Sequence, residues 1–133
     1  MRRLAVGLAS LALALVGCGG GDGGGGAAAD AVRKVEAVEF RFTPDLWEGD
    51  VGGSFTIEFT NAGSIEHNWV VLSQQIESED EITDDIKLFS TTALAGETVS
   101  AQIPQLDAGT YQVVCDIAGH FSAGMKGELR LGG

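Results

Sequence analysis

The sequence predicts an all-β domain, built as a β-sandwich or a barrel, from two observations. From residue 32 onward apolar residues recur at every second position, which is the period of a strand buried on one face. Turn-forming residues interrupt these runs at short intervals, as in Thr43-Pro44-Asp45 and Asp107-Ala108-Gly109. Short strands joined by such turns are typical of β-sandwiches and barrels.

Six alternating runs are the predicted strands. Side chains two residues apart in a strand share one face, and these faces are expected to point into the core. In chain order the predicted faces are Val38-Phe40-Phe42, Phe55-Ile57-Phe59, Ile65-His67-Trp69-Val71, Val99-Ala101-Ile103, Tyr111-Val113-Cys115 and Leu129-Leu131.

Residues 73–92 break this period. They carry several carboxylates, and Ile82, Ile86 and Phe89 are spaced as on one face of a short helix. The prediction is therefore a loop with a short helical insertion on the flank of the sandwich. The acidic run is interpreted as a solvated face, with a partner-docking surface as the alternative.

The first residues have the organisation of a secretory signal. Two arginines precede an apolar run over residues 4–16, which is shorter than the roughly 20 residues that span a bilayer. The following Gly17-Cys18 resembles the end of a bacterial lipobox, which implies that residues 1–17 are removed and that Cys18 carries the lipid. A plain signal peptide and an uncleaved membrane anchor are the alternatives.

A Gly- and Ala-rich stretch comes next, and residues 18–31 are predicted to form a flexible tether between the lipid and the domain. The remaining residues, 32–133, are long enough for one folded domain. The protein is therefore expected outside the cytoplasm, anchored to a bacterial membrane on its periplasmic or cell-surface side.

The charge balance argues against a nucleic-acid partner. The 133 residues include 8 Lys+Arg and 19 Asp+Glu, and loss of the two N-terminal arginines would take the net charge from −11 to −13. Proteins that bind nucleic acids usually carry clustered Lys and Arg, which neutralise the phosphate backbone. Two cysteines are too few for a disulfide-rich scaffold.

Four potential metal ligands stand in two places in the chain. Cys115, His120 and Met125 follow one another at five-residue steps, and His67 lies in a predicted strand far upstream. Two imidazoles, one thiolate and one weak thioether make up the ligand set of a blue-copper electron-transfer site. Zn²⁺ also accepts His and Cys, but the thioether favours copper.

Each of these four residues also has a purely structural interpretation. His67 is then a hydrogen-bonded core histidine, Cys115 a buried thiol, Met125 a gap-filling core residue and His120 a surface residue. Given Cys115, a His and a Met at these spacings arise by chance roughly once in 4,000 at this composition. The pattern therefore favours one shared site over four unrelated roles.

The surrounding residues resemble the cupredoxin family of small blue-copper proteins. The segments FTP (42–44), FTIEFTN (55–61) and HNWVVL (67–72) are similar to its first half, and YQVVCDIAGHFSAGMKG (111–127) is similar to its copper loop, with the histidine spacing of auracyanins. The resemblance implies a Greek-key β-sandwich that holds one type 1 copper. It implies His67, Cys115 and His120 as equatorial ligands and Met125 as the axial ligand.

The resemblance also implies roles for neighbouring residues. Asn68 is expected to hydrogen-bond across to the loop of the second ligand and to support the Cys115 sulfur. In azurins a backbone carbonyl before the first histidine approaches the metal; Glu66 holds that position here, so a fifth contact stays open. The residues around His120 are expected to leave its ring edge near a flat surface that serves as the electron port: Ala118, Gly119, Phe121, Ala123 and Gly124.

These features predict an electron-transfer protein and not an enzyme. Four protein ligands leave no open position for a substrate, which catalytic metal sites usually keep. An oxidase-type binuclear centre needs a second cysteine where Gly119 stands. The alternative function is an extracytoplasmic copper-binding or storage protein. The expected partners are redox proteins, namely a cytochrome, an oxidase or a reaction centre, and the protein is expected to be a monomer.

Overall fold

The computed structural model describes residues 31–50 and 54–132, which form nine strands. They are β1 (Ala31–Val38), β2 (Arg41–Thr43), β3 (Leu46–Asp50), β4 (Phe55–Asn61), β5 (His67–Leu72), β6 (Lys87–Ala93), β7 (Thr98–Ile103), β8 (Gly109–Val114) and β9 (Lys126–Gly132). Within these ranges the helical elements are two 3-10 turns, Glu79–Glu81 and Asp84–Ile86, so none could cross a membrane. The predicted signal, Cys18 and nearly all of the tether lie outside the described residues.

The strands form two mixed sheets that pack face to face. One sheet has the order β2-β1-β4-β7 and the other the order β3-β9-β8-β5-β6. The pairs β1–β4 and β3–β9 are parallel, whereas the remaining pairs are antiparallel. This arrangement confirms the predicted all-β, Greek-key sandwich.

The main core lies between the sheets and follows the alternation of the sequence. Along β4, Phe55, Ile57 and Phe59 are buried, whereas the residues between them are partly exposed. Across the core, Trp69 packs edge-on against Trp47, with ring centroids 5.3 Å apart. Full burial of an Ile or Phe side chain, as on β4, contributes about 1.5–3 kcal/mol. A one-residue slip would turn this buried face to solvent, so the packing fixes the register of the strand.

The predicted short helical insertion is present as two 3-10 turns only, and the residues after them form a strand. Residues 87–93 form the edge strand β6, which pairs antiparallel with β5 from His67↔Ala93 to Leu72↔Lys87. Their exposure alternates, and two adjacent threonines favour extended backbone. The apolar residues at helical spacing instead belong partly to a strand and partly to the 3-10 turns.

Residues 73–86, here called the acidic segment, cover the outer face of the second sheet. Strand β5 is buried on both faces because Val70 and Leu72 pack outward against Ile76 and Ile86 of this segment. The buried Gln112 side chain fixes the backbone of Ile76, accepting from its N–H at 2.7 Å and donating to its carbonyl at 3.2 Å. The segment is therefore a packed layer with a charged exterior.

The first predicted strand is in fact a hairpin. Strands β1 and β2 pair antiparallel with Val38 opposite Arg41, so residues 39 and 40 form the turn. Phe40 has a φ of 62°, in the left-handed region, and its side chain is 40% exposed. The alternation of apolar residues continues through this turn, so the sequence pattern predicts Phe40 in the core beside Phe42.

Candidate metal centre

Three of the predicted ligands meet where β5 begins and β8 ends. Nδ1 of His67 lies 3.3 Å from Nδ1 of His120, and Sγ of Cys115 lies 3.2 Å from the same His120 atom. One donor atom from each residue lies within 4.8 Å of the others. All three side chains are buried, so the centre is closed off from bulk water.

The turn before β5 positions His67. The buried Asn61 side chain donates from Nδ2 to the carbonyls of Ile65 at 2.7 Å and Ala93 at 2.9 Å. Its Oδ1 accepts from the N–H of Gly63 at 2.9 Å. One amide thus ties the turn to β6 and brings the chain into β5 in the register that points His67 inward.

Glu39 holds the same turn from the β1–β2 hairpin. Its carboxylate accepts hydrogen bonds from the backbone N–H of Ser64 and, at 2.8 Å, from the Ser64 hydroxyl. These bonds favour the ionised form and lower the pKa of Glu39 to about 2. The entry to β5 is therefore fixed by two elements remote in sequence.

The remaining ligands come from one loop between β8 and β9, residues 115–125, here called the ligand loop. The N–H of Cys115 donates to the Met125 carbonyl at 3.1 Å, and the Met125 N–H donates to the His120 carbonyl at 3.0 Å. Gly119 and Gly124 have φ values of +86° and +103°, which L side chains rarely adopt. Met125 is fully buried in the same core cluster as Cys115.

Burial disfavours charge on the donors. Desolvation, followed by the nearby His120, lowers the pKa of His67. Desolvation also raises the pKa of the Cys115 thiol, although the N–H of Asn68 donates to its Sγ at 3.3 Å and acts in the opposite direction. A metal ion binds Cys115 as the thiolate, whereas the thiol form is favoured without metal. Metal binding at this centre is therefore expected to release a proton.

The donor arrangement fits a metal ion. Atoms that share one ion stand about 2.0–2.3 Å from it and hence about 3–4 Å from one another. The two closest donor pairs, at 3.2 and 3.3 Å, have this spacing. Because thiolate and thioether are soft donors beside imidazoles, the set suits copper.

Asn68 connects the two sides of the centre. Besides its backbone contact to Cys115, its Nδ2 donates to Oδ1 of Asp116 at 2.6 Å, and its Oδ1 accepts from the Thr92 hydroxyl at 2.8 Å. Lys87 on β6 forms an ion pair with Asp116 at 2.9 Å. Burial alone would raise the pKa of Asp116, but these hydrogen bonds outweigh it and lower the pKa. An ionised carboxylate therefore stands next to the sulfur ligand.

His120 lies beneath a surface of small residues and one aromatic ring. The exposed residues of this surface include Ala118, Gly119, Ala123 and Gly124, and His120 itself is 6% exposed. The Phe40 ring meets the His120 ring edge-on, with centroids 5.1 Å apart. The sequence does not predict Phe40 at this position, because its alternating pattern continues through the hairpin turn and indicates one strand.

A second residue missed in the sequence is Glu79 of the acidic segment. Its carboxylate accepts from the N–H of Gly119 at 2.6 Å, and from the hydroxyl and N–H of Ser122 at 2.8 and 3.2 Å. The bond from Gly119, followed by those from Ser122, lowers the pKa of Glu79. No signal in the sequence separates Glu79 from the other carboxylates around it.

The sequence matches the profile of the copper-binding proteins of the plastocyanin/azurin family over residues 29–132. No curated protein matches the sequence significantly. Among solved structures, reduced auracyanin from the photosynthetic bacterium Roseiflexus castenholzii is similar, with a TM-score of 0.68 and 17% identity over 78% of this chain and 98% of that one.

Two further structures show how widely the fold is used. Auracyanin A from Chloroflexus aurantiacus, described as a "blue" copper protein, has a TM-score of 0.65 and 21% identity over 77% of this chain and 99% of that one. A multicopper oxidase from Campylobacter jejuni has a TM-score of 0.58 and 10% identity over 78% of this chain but 30% of that one. The fold alone thus does not separate carriers from oxidases.

Proposed function

The chain belongs to the plastocyanin/azurin family of copper-binding proteins, and on that premise we propose that it carries single electrons at one type 1 copper. His67, Cys115 and His120 are the proposed equatorial ligands, and Met125 is the proposed weak axial ligand. The observation that carries this proposal is the buried convergence of two Nδ1 atoms and one Sγ.

When bound, copper supplies a one-electron exchange between Cu(I) and Cu(II). The protein supplies donors that are held in place by strands and by hydrogen bonds inside the ligand loop. Donors fixed in this way cannot rearrange far when the charge of the ion changes, and a small rearrangement favours fast electron transfer. The same rigidity keeps the ion in the protein between transfers.

We infer a carrier and not an enzyme. Catalytic metal sites usually keep one position open to solvent or substrate, whereas His67, Cys115 and Met125 are each 0% exposed. The least buried ligand is His120, and the small residues above it together with Phe40 are the proposed port for electrons. A partner that docks on this surface would come close enough to exchange electrons with the buried centre, although the ligands are buried among the described residues and are not open to a substrate.

We further propose that the protein works at a bacterial membrane, outside the cytoplasm. The support is the signal-like first segment, the lipobox-like Gly17-Cys18 and the Gly-rich tether of residues 18–31. The proposed partners are redox proteins of that compartment, such as a cytochrome, an oxidase or a reaction centre. Incorporation of a labelled fatty acid that is lost in Cys18→Ser would support the anchor, and equal labelling of both proteins would contradict it.

The central test is spectroscopic. The copper-loaded protein is expected to show intense visible absorption from the thiolate–copper bond, and an EPR signal that disappears on reduction and returns on reoxidation. Copper retained through repeated cycles in the presence of a chelator supports an electron carrier. Loss of copper in the first cycle would instead favour the storage function, and absence of the visible band would exclude a type 1 centre.

A further inference from the structure

The ligand loop leaves two of its backbone amides to an outside partner. Around His120 the loop is closed by short local bonds: the N–H of His120 donates to the Ile117 carbonyl at 2.9 Å, and the N–H of Ala123 to the Gly119 carbonyl at 3.1 Å. The N–H groups of Gly119 and Ser122 donate to none of the backbone carbonyls in these turns. Both donate to Glu79, which lies 40 and 43 positions earlier in the chain.

The Glu79 carboxylate resembles a helix cap supplied from a distance. A capping side chain normally accepts amides of a turn from the residue just before it. Here one carboxylate accepts two such amides and the Ser122 hydroxyl, at 2.6, 3.2 and 2.8 Å. These bonds to a charged acceptor are stronger than bonds between neutral groups. The two residues whose amides donate, Gly119 and Ser122, stand on either side of His120 in the sequence.

The backbone turn that carries Glu79 is itself held in place. Glu79 begins a 3-10 turn whose capping box joins Ser78 and Glu81. On one side of this turn Ile76 is held by Gln112, and on the other side Ile86 packs into the outer cluster. Glu79 is partly buried, whereas the neighbouring acidic residues of the turn are exposed. The carboxylate therefore reaches the loop from an anchored element.

We propose that Glu79 is a positioning residue for His120, which fixes the ligand loop from outside and so holds the imidazole toward His67 and Cys115 before a metal binds. This inference rests on the proposed copper ligation for its functional meaning. It assigns part of the acidic segment to the construction of the metal centre, in place of a purely solvated face.

The first test is amide hydrogen exchange of the full-length protein without metal. Glu79→Gln keeps the length of the side chain but replaces one acceptor oxygen by a donor, and Glu79→Ala removes both acceptors. The amides of Gly119 and Ser122 are expected to exchange about 10- to 100-fold faster in both variants, because a hydrogen bond to a charged group is lost. Amides of β4 serve as the internal reference for a folded protein.

Glu77→Gln is the matched control, since Glu77 is an exposed residue of the same segment and its substitution removes the same charge. It is expected to leave both amides at the wild-type rate. Unchanged exchange in Glu79→Gln and Glu79→Ala, or equal acceleration in Glu77→Gln, would overturn the proposal. Ser122→Ala removes the hydroxyl donor but keeps the N–H of residue 122 and the whole acidic segment. The amide of residue 122 is expected to exchange faster than in wild type, but by less than in the Glu79 variants.

The second test uses the copper-loaded protein. Because Glu79→Gln and Glu77→Gln lose the same charge, a difference between their EPR hyperfine splittings reports loop geometry, and only Glu79→Gln is expected to depart from wild type. Identical spectra for all three proteins would contradict a positioning role. If the wild type fails to form a type 1 centre, the proposed function fails, while the exchange experiment still decides whether Glu79 fixes the loop.

Discussion

The ligand loop and the acidic segment lie against each other, yet they are organised in opposite ways. The ligand loop makes its main hydrogen bonds within itself, as between Cys115 and Met125, at a separation of ten residues. The acidic segment also has local bonds in its 3-10 turns, but its attachment to the sheet depends on a distant partner, since Ile76 is held by Gln112 across 36 positions. A local pattern in the sequence can therefore predict the first region but not the second.

The largest expected effect separates the two regions by chemistry. Cys115→Ser should abolish the intense visible absorption of the copper-loaded protein, because the thiolate ligand is lost. Glu77→Gln in the acidic segment should leave that band unchanged. The absorption spectra of the two variants measure both results, and a Cys115→Ser protein that keeps its band would show that the proposed ligand is wrong.

The next effect tests whether the acidic segment is a packed layer. Ile86 is 7% exposed and belongs to the outer cluster, so Ile86→Ala should lower the free energy of unfolding by about 2–5 kcal/mol. Ile57→Ala, in the main core, is the comparison at a site of full burial. Urea titration of the metal-free proteins gives both values. A cost near zero for Ile86→Ala would mean that the segment is merely solvated.

A smaller effect is expected from the backbone of the ligand loop. Gly124 has a φ of +103°, and a Cβ there would meet no atom within 4 Å, so Gly124→Ala should cost about 1–3 kcal/mol through backbone strain alone. Gly132 is equally open but lacks a positive φ. Gly132→Ala is therefore the control for alanine itself. Equal unfolding free energies for the two variants would argue against strain in the loop.

The smallest expected effect is the loss of stability at low pH that depends on Asp116, which lies where the ligand loop begins. The pKa of Asp116 is lowered in the folded protein, since its bonds to Asn68 and Lys87 outweigh burial. As the pH falls below the ordinary value of 3.8, the unfolded chain binds a proton that the folded chain resists, so stability is lost toward acid. The metal-free Asp116→Asn variant should lose less stability between neutral pH and pH 3 than wild type, measured by urea titration.

The control for this prediction is Asp85→Asn, an exposed position in the acidic segment. Its acid profile is expected to follow that of wild type. If the Asp116→Asn variant lost as much unfolding free energy toward acid as wild type, the contacts of Asp116 with Asn68 and Lys87 would not favour the ionised carboxylate.

Where sequence reasoning succeeded, the relevant contacts were close in the chain or followed a strict period. The alternation of Phe55, Ile57 and Phe59 corresponds to the buried face of β4. It failed where one pattern had two structural solutions. Ile86 at helical spacing lies in a 3-10 turn, whereas Ile82 follows the other 3-10 turn in extended backbone. Phe40 lies in a hairpin turn, although its position in the alternating pattern is that of a buried strand residue.

The sequence alone determined the β-sandwich and the donor types at their spacing, because side-chain alternation and the five-residue steps of the ligand loop are properties of neighbouring residues. Only the tertiary structure decided that Nδ1 of His67 lies 3.3 Å from Nδ1 of His120, across 53 positions. It also decided which carboxylate of the acidic segment reaches the loop. Such pairings depend on how sheets pack and where turns end, and these follow from the burial of the whole core at once.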